Sequence, residues 1–120
     1  MVRLGAVALD TDAPIVLATF WSELLGGQIS FSSNDFISIV AGPIRLNVHR
    51  VVDYRAPSWP DGSTPKQMHL DIEVCDLEAA EEQALRLGAR RADVQPALDR
   101  WRVLLDPAGH PFCLTTQFPE

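Results

Sequence analysis

The sequence predicts an α+β protein built from two βαβββ repeats, and three observations carry that prediction. Short runs in each half alternate apolar with polar residues, the period of a half-buried strand. Each half also holds one apolar stretch at helical spacing that stops at glycine, at Gly26-Gly27 and again at Gly88. Between the halves lies a proline- and glycine-rich stretch, Asp53 to Lys66, that reads as a loop.

Leu4 to Leu9 forms the first strand candidate, an apolar run with small residues. Asp10, Asp12 and Pro14 then supply a helix start with acids near its positive end. Val16, Leu17, Phe20, Trp21, Leu24 and Leu25 recur at helical spacing, so one helix face, Trp21 included, packs on a sheet. Ile29 and Phe31, then Ile37 and Ile39, alternate on either side of Ser33-Asn34-Asp35, which predicts a hairpin. Past Gly42-Pro43, the alternation of Ile44, Leu46 and Val48 gives a fourth strand.

The order then begins again. Leu70, Ile72 and Val74 alternate, and Asp76 caps a helix carrying Leu77, Ala80, Ala84, Leu85 and Leu87. Strands are predicted from Ala89 to Val94, Trp101 to Leu105 and Phe112 to Thr116, the last two joined by the turn Asp106-Pro107-Ala108-Gly109. One domain is expected, with repeat one at about residues 1–51, a linker at about 52–66 and repeat two at about 67–120.

Composition narrows the function classes. With 120 residues, 47% hydrophobic and 22% charged, the chain has the makeup of an ordinary globular domain and length enough for a core without disulfides or structural metal. A net charge of -6 with only ten Lys and Arg gives no basic face, so nucleic acid is not an expected partner. Asp, Pro or Gly breaks every apolar stretch before the ~18 residues of a membrane span, and no membrane is expected. Cys75 and Cys113 lie in strand-like runs, and no charged-then-apolar leader precedes Val2, so the expected location is cytoplasmic.

Three pieces of the chain resemble the glyoxalase/bleomycin-resistance/dioxygenase, or vicinal-oxygen-chelate, superfamily, especially its small glyoxalase-like branch. They are the helix end Phe20-Trp21 to Leu24-Leu25-Gly26, the strand His69-Leu70-Asp71-Ile72 running into Asp76-Leu77, and the closing Asp106-Pro107-Ala108-Gly109-His110-Pro111-Phe112. The resemblance covers almost the whole chain. It implies a curled, half-open β-barrel-like sheet with helices on the outside, enclosing a cavity for a small molecule or a metal. It also implies a homodimer, because a partner chain often completes such sheets and cavities. The superfamily includes glyoxalase I, ring-cleaving dioxygenases, epimerases, thiol-transfer enzymes that inactivate fosfomycin, and metal-free proteins that sequester bleomycin-like drugs.

In the metal-dependent members, His, Glu or Gln from the first and last strands of each repeat hold a divalent ion. From Arg3 to Leu9 no such residue is present. His69 matches the family histidine and shares a strand face with Asp71 and Glu73. Cys113 stands where the family usually has Glu, and a thiol suits zinc but serves Mg, Mn or Fe(II) poorly. His49, on the closing strand of the first repeat with Arg45 and Asn47, offers a nitrogen in place of an acid.

Three readings stand. His49, His69 and Cys113 would hold zinc with one position open and Asp71 as an outer partner. Alternatively the cavity persists without its usual metal, and His69 and Asp71 orient a bound organic ligand. In a third, metal-free catalysis uses His69 as the proton carrier, with Asp71 or Glu73 beside it. The preferred expectation is a small-molecule-binding protein with a cavity lined by His49, His69, Asp71, Cys113, Trp59 and Trp101, and no cofactor. The alternative is a lyase-like or related enzyme, with His69 and Asp71 catalytic.

Other residues take plainer roles. His110 steadies its turn, Cys75 is read as a quiet packed thiol, and Ala79 to Glu82 with Arg86 form a solvated helix face. Trp101 alternates with Val103 and Leu105, on the helix side or the cavity side alike.

Overall fold

A computed structural model describes residues 2–60, 62, 64–65 and 68–118; linker positions 61, 63 and 66 lie outside them. The chain divides into two compact units, Met1–Arg55 and Ala56–Glu120, each a βαβββ repeat, so the α+β prediction holds. Their boundary falls inside the expected linker, and the Trp59 segment belongs to the second unit.

In the first unit, β1 (Val7–Thr11), α1 (Pro14–Leu25), β2 (Gln28–Ser32), β3 (Phe36–Ala41) and β4 (Ile44–Arg50) follow in order. They form a four-stranded sheet, β1-β4-β3-β2, in which β1 and β4 run parallel. Leu17, Ala18, Phe20 and Trp21 of α1 are buried, as are Ile37, Ile39, Leu46 and Val48 of the sheet. Phe20 and Trp21 meet edge to face with centroids 5.1 Å apart.

Four local expectations need correction here. The strand begins and ends later than Leu4 to Leu9, and Asp10 is a strand residue rather than part of the helix start. No side chain caps α1 at Ala13; instead the Thr11 hydroxyl accepts a hydrogen bond from the Ala13 amide at 3.0 Å. Val16 is exposed, outside the packed stripe. In β2 a bulge sets Ile29 opposite Ile39 but Phe31 opposite Ser38, which turns Phe31 to the other face, beside Phe36 at 5.8 Å. Strict alternation therefore misplaced Phe31, and β2 is exposed at every residue.

In the second unit, β5 (Leu70–Glu73), α2 (Leu77–Leu87), β6 (Arg90–Arg91), β7 (Trp101–Leu105) and β8 (Pro111–Thr115) form a sheet in the order β5-β8-β7-β6, with β5 and β8 parallel. Asp76 caps α2 as predicted, accepting from the Ala79 amide at 3.1 Å, and Gly88 ends it in the left-handed region. Asp76→Ala is expected to cost about 1 kcal/mol of stability, read by urea denaturation; an unchanged midpoint would show that the cap carries nothing. No helix among the described residues is long and apolar enough to cross a membrane.

The predicted strand from Ala89 to Val94 shrinks to two residues because a side chain takes over the ladder. Gln95 donates from Nε2 to the Ala92 and Val103 carbonyls at 3.0 and 2.7 Å, and its Oε1 accepts from the Val103 amide at 2.9 Å. The Asp106 turn forms as expected, with its buried carboxylate accepting from the Ala108 and His110 amides at 2.9 and 3.0 Å.

The solvated-face expectation for α2 fails at Glu81. That side chain is buried and ion-paired to Arg91 and Arg102, both at 3.4 Å, while Arg102 also meets Glu78 at 3.1 Å. Burial alone would lower the Arg102 pKa, but hydrogen bonds to, and the charges of, Glu78 and Glu81 outweigh it and hold the guanidinium above its ordinary value. Its stabilising contribution is therefore complete below the usual arginine range and fades only as pH rises through the raised value. Cys75, expected to be packed, is exposed just beyond β5.

Candidate functional site

The two faces of the second sheet differ by the parity of the strand residues. Leu70, Phe112 and Leu104 stand in register on one face, and the opposite row is Asp71, Cys113 and Val103. One further step along, Glu73, Thr115 and Trp101 are aligned. His69 precedes β5 and falls on the same face as Asp71 by alternation.

That second face lines a cavity of about 380 Å³ bounded by Trp59, His69, Asp71, Trp101, Val103, Pro111, Cys113, Thr115 and Gln117. Trp101 therefore faces the cavity, which settles the side that alternation left open. The Arg100 guanidinium lies 5.1 Å from the Trp101 ring centroid, within cation–π range. Trp59 reaches the cavity from a loop in which Ser58 bridges Pro65 and its hydroxyl accepts from the Thr64 amide at 3.0 Å.

His69 Nε2 stands 3.1 Å from Asp71 Oδ1, with side chains 36% and 51% exposed. A pair that open to water contributes little to stability, so its consequence is to orient the imidazole. Cys113 lies in no disulfide. The ligand atoms of His69, Asp71 and Cys113 all lie within 4.8 Å of one another. An imidazole, a carboxylate and a thiol make a donor set that fits zinc and does not fit Mg or Mn, which favour oxygen. If zinc is bound, these three residues would hold it, and it would supply Lewis acidity.

Five of the six expected lining residues thus meet in one cavity. The sixth, His49, stands on β4 of the first unit, in register with Asp10 and Phe36, its ring 4.8 Å from that of Phe36. The first strand runs on past the expected Leu9 to Thr11, so it carries one acid, Asp10, that the expected range leaves out. Val103, Pro111, Thr115 and Gln117 were also missed as lining residues, although extending the alternation from Cys113 and Trp101 finds the first three within β7 and β8. Glu73, expected beside His69, is absent from the lining.

A family model described as a glyoxalase-like domain matches residues 6–115. Among solved structures, the chain is similar to the bleomycin-binding protein of Streptomyces verticillus complexed with copper(II)-bleomycin, at 25% identity and TM-score 0.60, covering 98% of this chain and 100% of that one. It is also similar to a glyoxalase family protein from Enterococcus faecalis, at 20% identity and TM-score 0.70, covering 94% and 96%. A variant of the fosfomycin resistance protein FosX from Listeria monocytogenes, complexed with Mn(II) and a dihydroxypropylphosphonic acid, matches at 12% identity and TM-score 0.72, covering 98% and 92%. No curated protein matches the sequence. With nearly its whole length matched by that model, the chain belongs to the glyoxalase-like domain family.

Proposed function

We propose that this chain is a small-molecule-binding protein that holds an organic ligand in the cavity of its second unit, without the usual divalent-metal site of its superfamily, whose ligands are His, Glu or Gln. The observation that carries the proposal is the make-up of the cavity: two indoles and Val103 and Pro111 give apolar walls, and a few polar groups converge at His69 and Asp71. That combination is typical of small-molecule sites. The likeness to a bleomycin-binding protein supports a binding role.

Titration of purified protein with a panel of flat aromatic compounds, followed by tryptophan fluorescence, tests the proposal. Trp101→Ala and Trp59→Ala are each expected to weaken binding by roughly tenfold or more, since a buried aromatic contact contributes about 1.4 kcal/mol or above. If neither substitution changes the Kd of any compound that binds, the proposed cavity is not the binding site.

An enzymatic role is favoured by one observation, the 3.1 Å approach of Asp71 to His69 at the cavity wall. Such a pair suits general acid–base chemistry, with Asp71 orienting the imidazole. His69→Ala leaving the turnover of every accepted compound unchanged would remove that role.

A cytoplasmic homodimer completes the proposal. It is supported by two cysteines outside any disulfide and by an exposed outer strand, β2, that presents Ile29 and Phe31. Sedimentation at micromolar concentration tests the dimer, and a monomeric mass would exclude it.

A further inference from the structure

We propose that His69, Asp71 and Cys113 form a zinc-class metal site contained in the second unit alone, with Asp71 a direct ligand rather than an outer partner. The inference depends on that cavity being the functional site, but not on any organic ligand occupying it. It replaces the expected set of His49, His69 and Cys113, and in place of the His, Glu or Gln donors of the metal-dependent members it offers one nitrogen, one oxygen and one sulfur donor.

The placement is fixed by backbone. Asp71 and Cys113 are register partners on the parallel strands β5 and β8, so they stand side by side on one face. His69 joins them two residues before Asp71, where alternation returns a side chain to the same face. Sites built on strands hold their donors better than sites built on loops.

The distances are close to those of a bound ion. Around a tetrahedral zinc with bonds of roughly 2.0–2.3 Å, donor atoms stand about 3.3–3.8 Å apart. The present donors lie within 4.8 Å of one another, so closing on an ion requires a shift of about 1 Å.

The charges also match. A thiolate and a carboxylate together carry two negative charges, which neutralise a divalent cation, while neutral imidazole adds a donor without adding charge. Three protein ligands are the count seen where zinc keeps a position open, and the side facing away from the strands is the cavity.

Cobalt(II), a spectroscopic stand-in for zinc, tests the site in the full chain after treatment with a chelator. The expected result is one cobalt per chain, a sulfur-to-cobalt charge-transfer band in the near ultraviolet, and displacement of the cobalt by zinc but not by Mg(II) or Mn(II). Cys113→Ser should abolish the band, and Cys75→Ser should leave it intact. His69→Ala and Asp71→Asn should each weaken zinc binding by at least roughly tenfold, with the far-ultraviolet circular dichroism unchanged.

Absence of the band, its survival in Cys113→Ser, or zinc affinity unaffected by Asp71→Asn would each overturn the assignment. Because the metal alone is the probe, failure here leaves the fluorescence test of organic binding unaffected. Failure of that test in turn leaves the cobalt result standing.

Discussion

Phe112→Ala is expected to lower the unfolding free energy by about 3–5 kcal/mol, the range for deleting a fully buried phenyl side chain. Phe112 is 1% exposed and lies on the central strand β8, in register with Leu70 on one side and Leu104 on the other. Removing the ring leaves a void on β8, a strand held between β5 and β7, so collapse around it is restricted. Urea denaturation measures the loss, with the m-value held as a check on the unfolded state. A loss below about 1 kcal/mol would mean that the neighbouring side chains refill the space. The effect also bears on the cavity, because Cys113 is the next residue on the same strand and faces the opposite way.

Glu81→Ala is expected to cost about 2–4 kcal/mol, which is large for a charged residue on a helix. The substitution strips the exposed Arg91 of its ion-pair partner and leaves Arg102, only 12% exposed, with Glu78, which is 84% exposed. Because Glu78 persists, the loss should fall at the lower edge of what a fully orphaned buried charge costs. Glu78→Ala, at the exposed end of the same network, should cost less than about 1 kcal/mol. The paired replacement Glu81→Leu with Arg102→Leu should recover most of the loss, since an apolar pair needs no desolvation of charge. Equal destabilisation by Glu78→Ala and Glu81→Ala would show that burial is not what sets the effect.

How far the sequence foretold these features depends on whether the cause was local. Ile37, Ile39, Leu46, Val48 and Phe112 announce their strands because a side chain's face follows from its position parity, and each is buried. Asp76 and Gly88 announce the ends of α2 because a cap is made within a few residues of chain. Glu81 reads as solvated for the opposite reason: its partners Arg91 and Arg102 come from β6 and β7, ten and twenty-one residues away. The bulge at Ser30 and the shortened β6 likewise arise from pairing between segments.

The candidate site was legible in its second half. His69, Asp71, Cys113 and Trp101 are tied to one another by strand register and alternation, and the parity of each is fixed once β5 and β8 are paired. What alternation could not supply was direction, since either face of β7 fits Trp101 equally well until α2 is placed. Asp10 was missed because the run of apolar residues ends at Leu9, whereas backbone pairing with β4 carries β1 on to Thr11.

The Gln95 amide makes one side chain do the work of backbone at the outer margin of the second sheet. An ordinary strand spreads its hydrogen bonds over several residues, and because they come from the main chain they are indifferent to which amino acid stands where. Here three bonds, to Ala92 and to both polar groups of Val103, hang on a single residue's chemistry. Beyond the short β6–β7 ladder and the Ala92 amide, that margin depends on one side chain. A substitution at position 95 would remove all three bonds together, leaving the amide of the buried Val103 without its Gln95 acceptor while its carbonyl keeps the Ala92 amide at 3.1 Å.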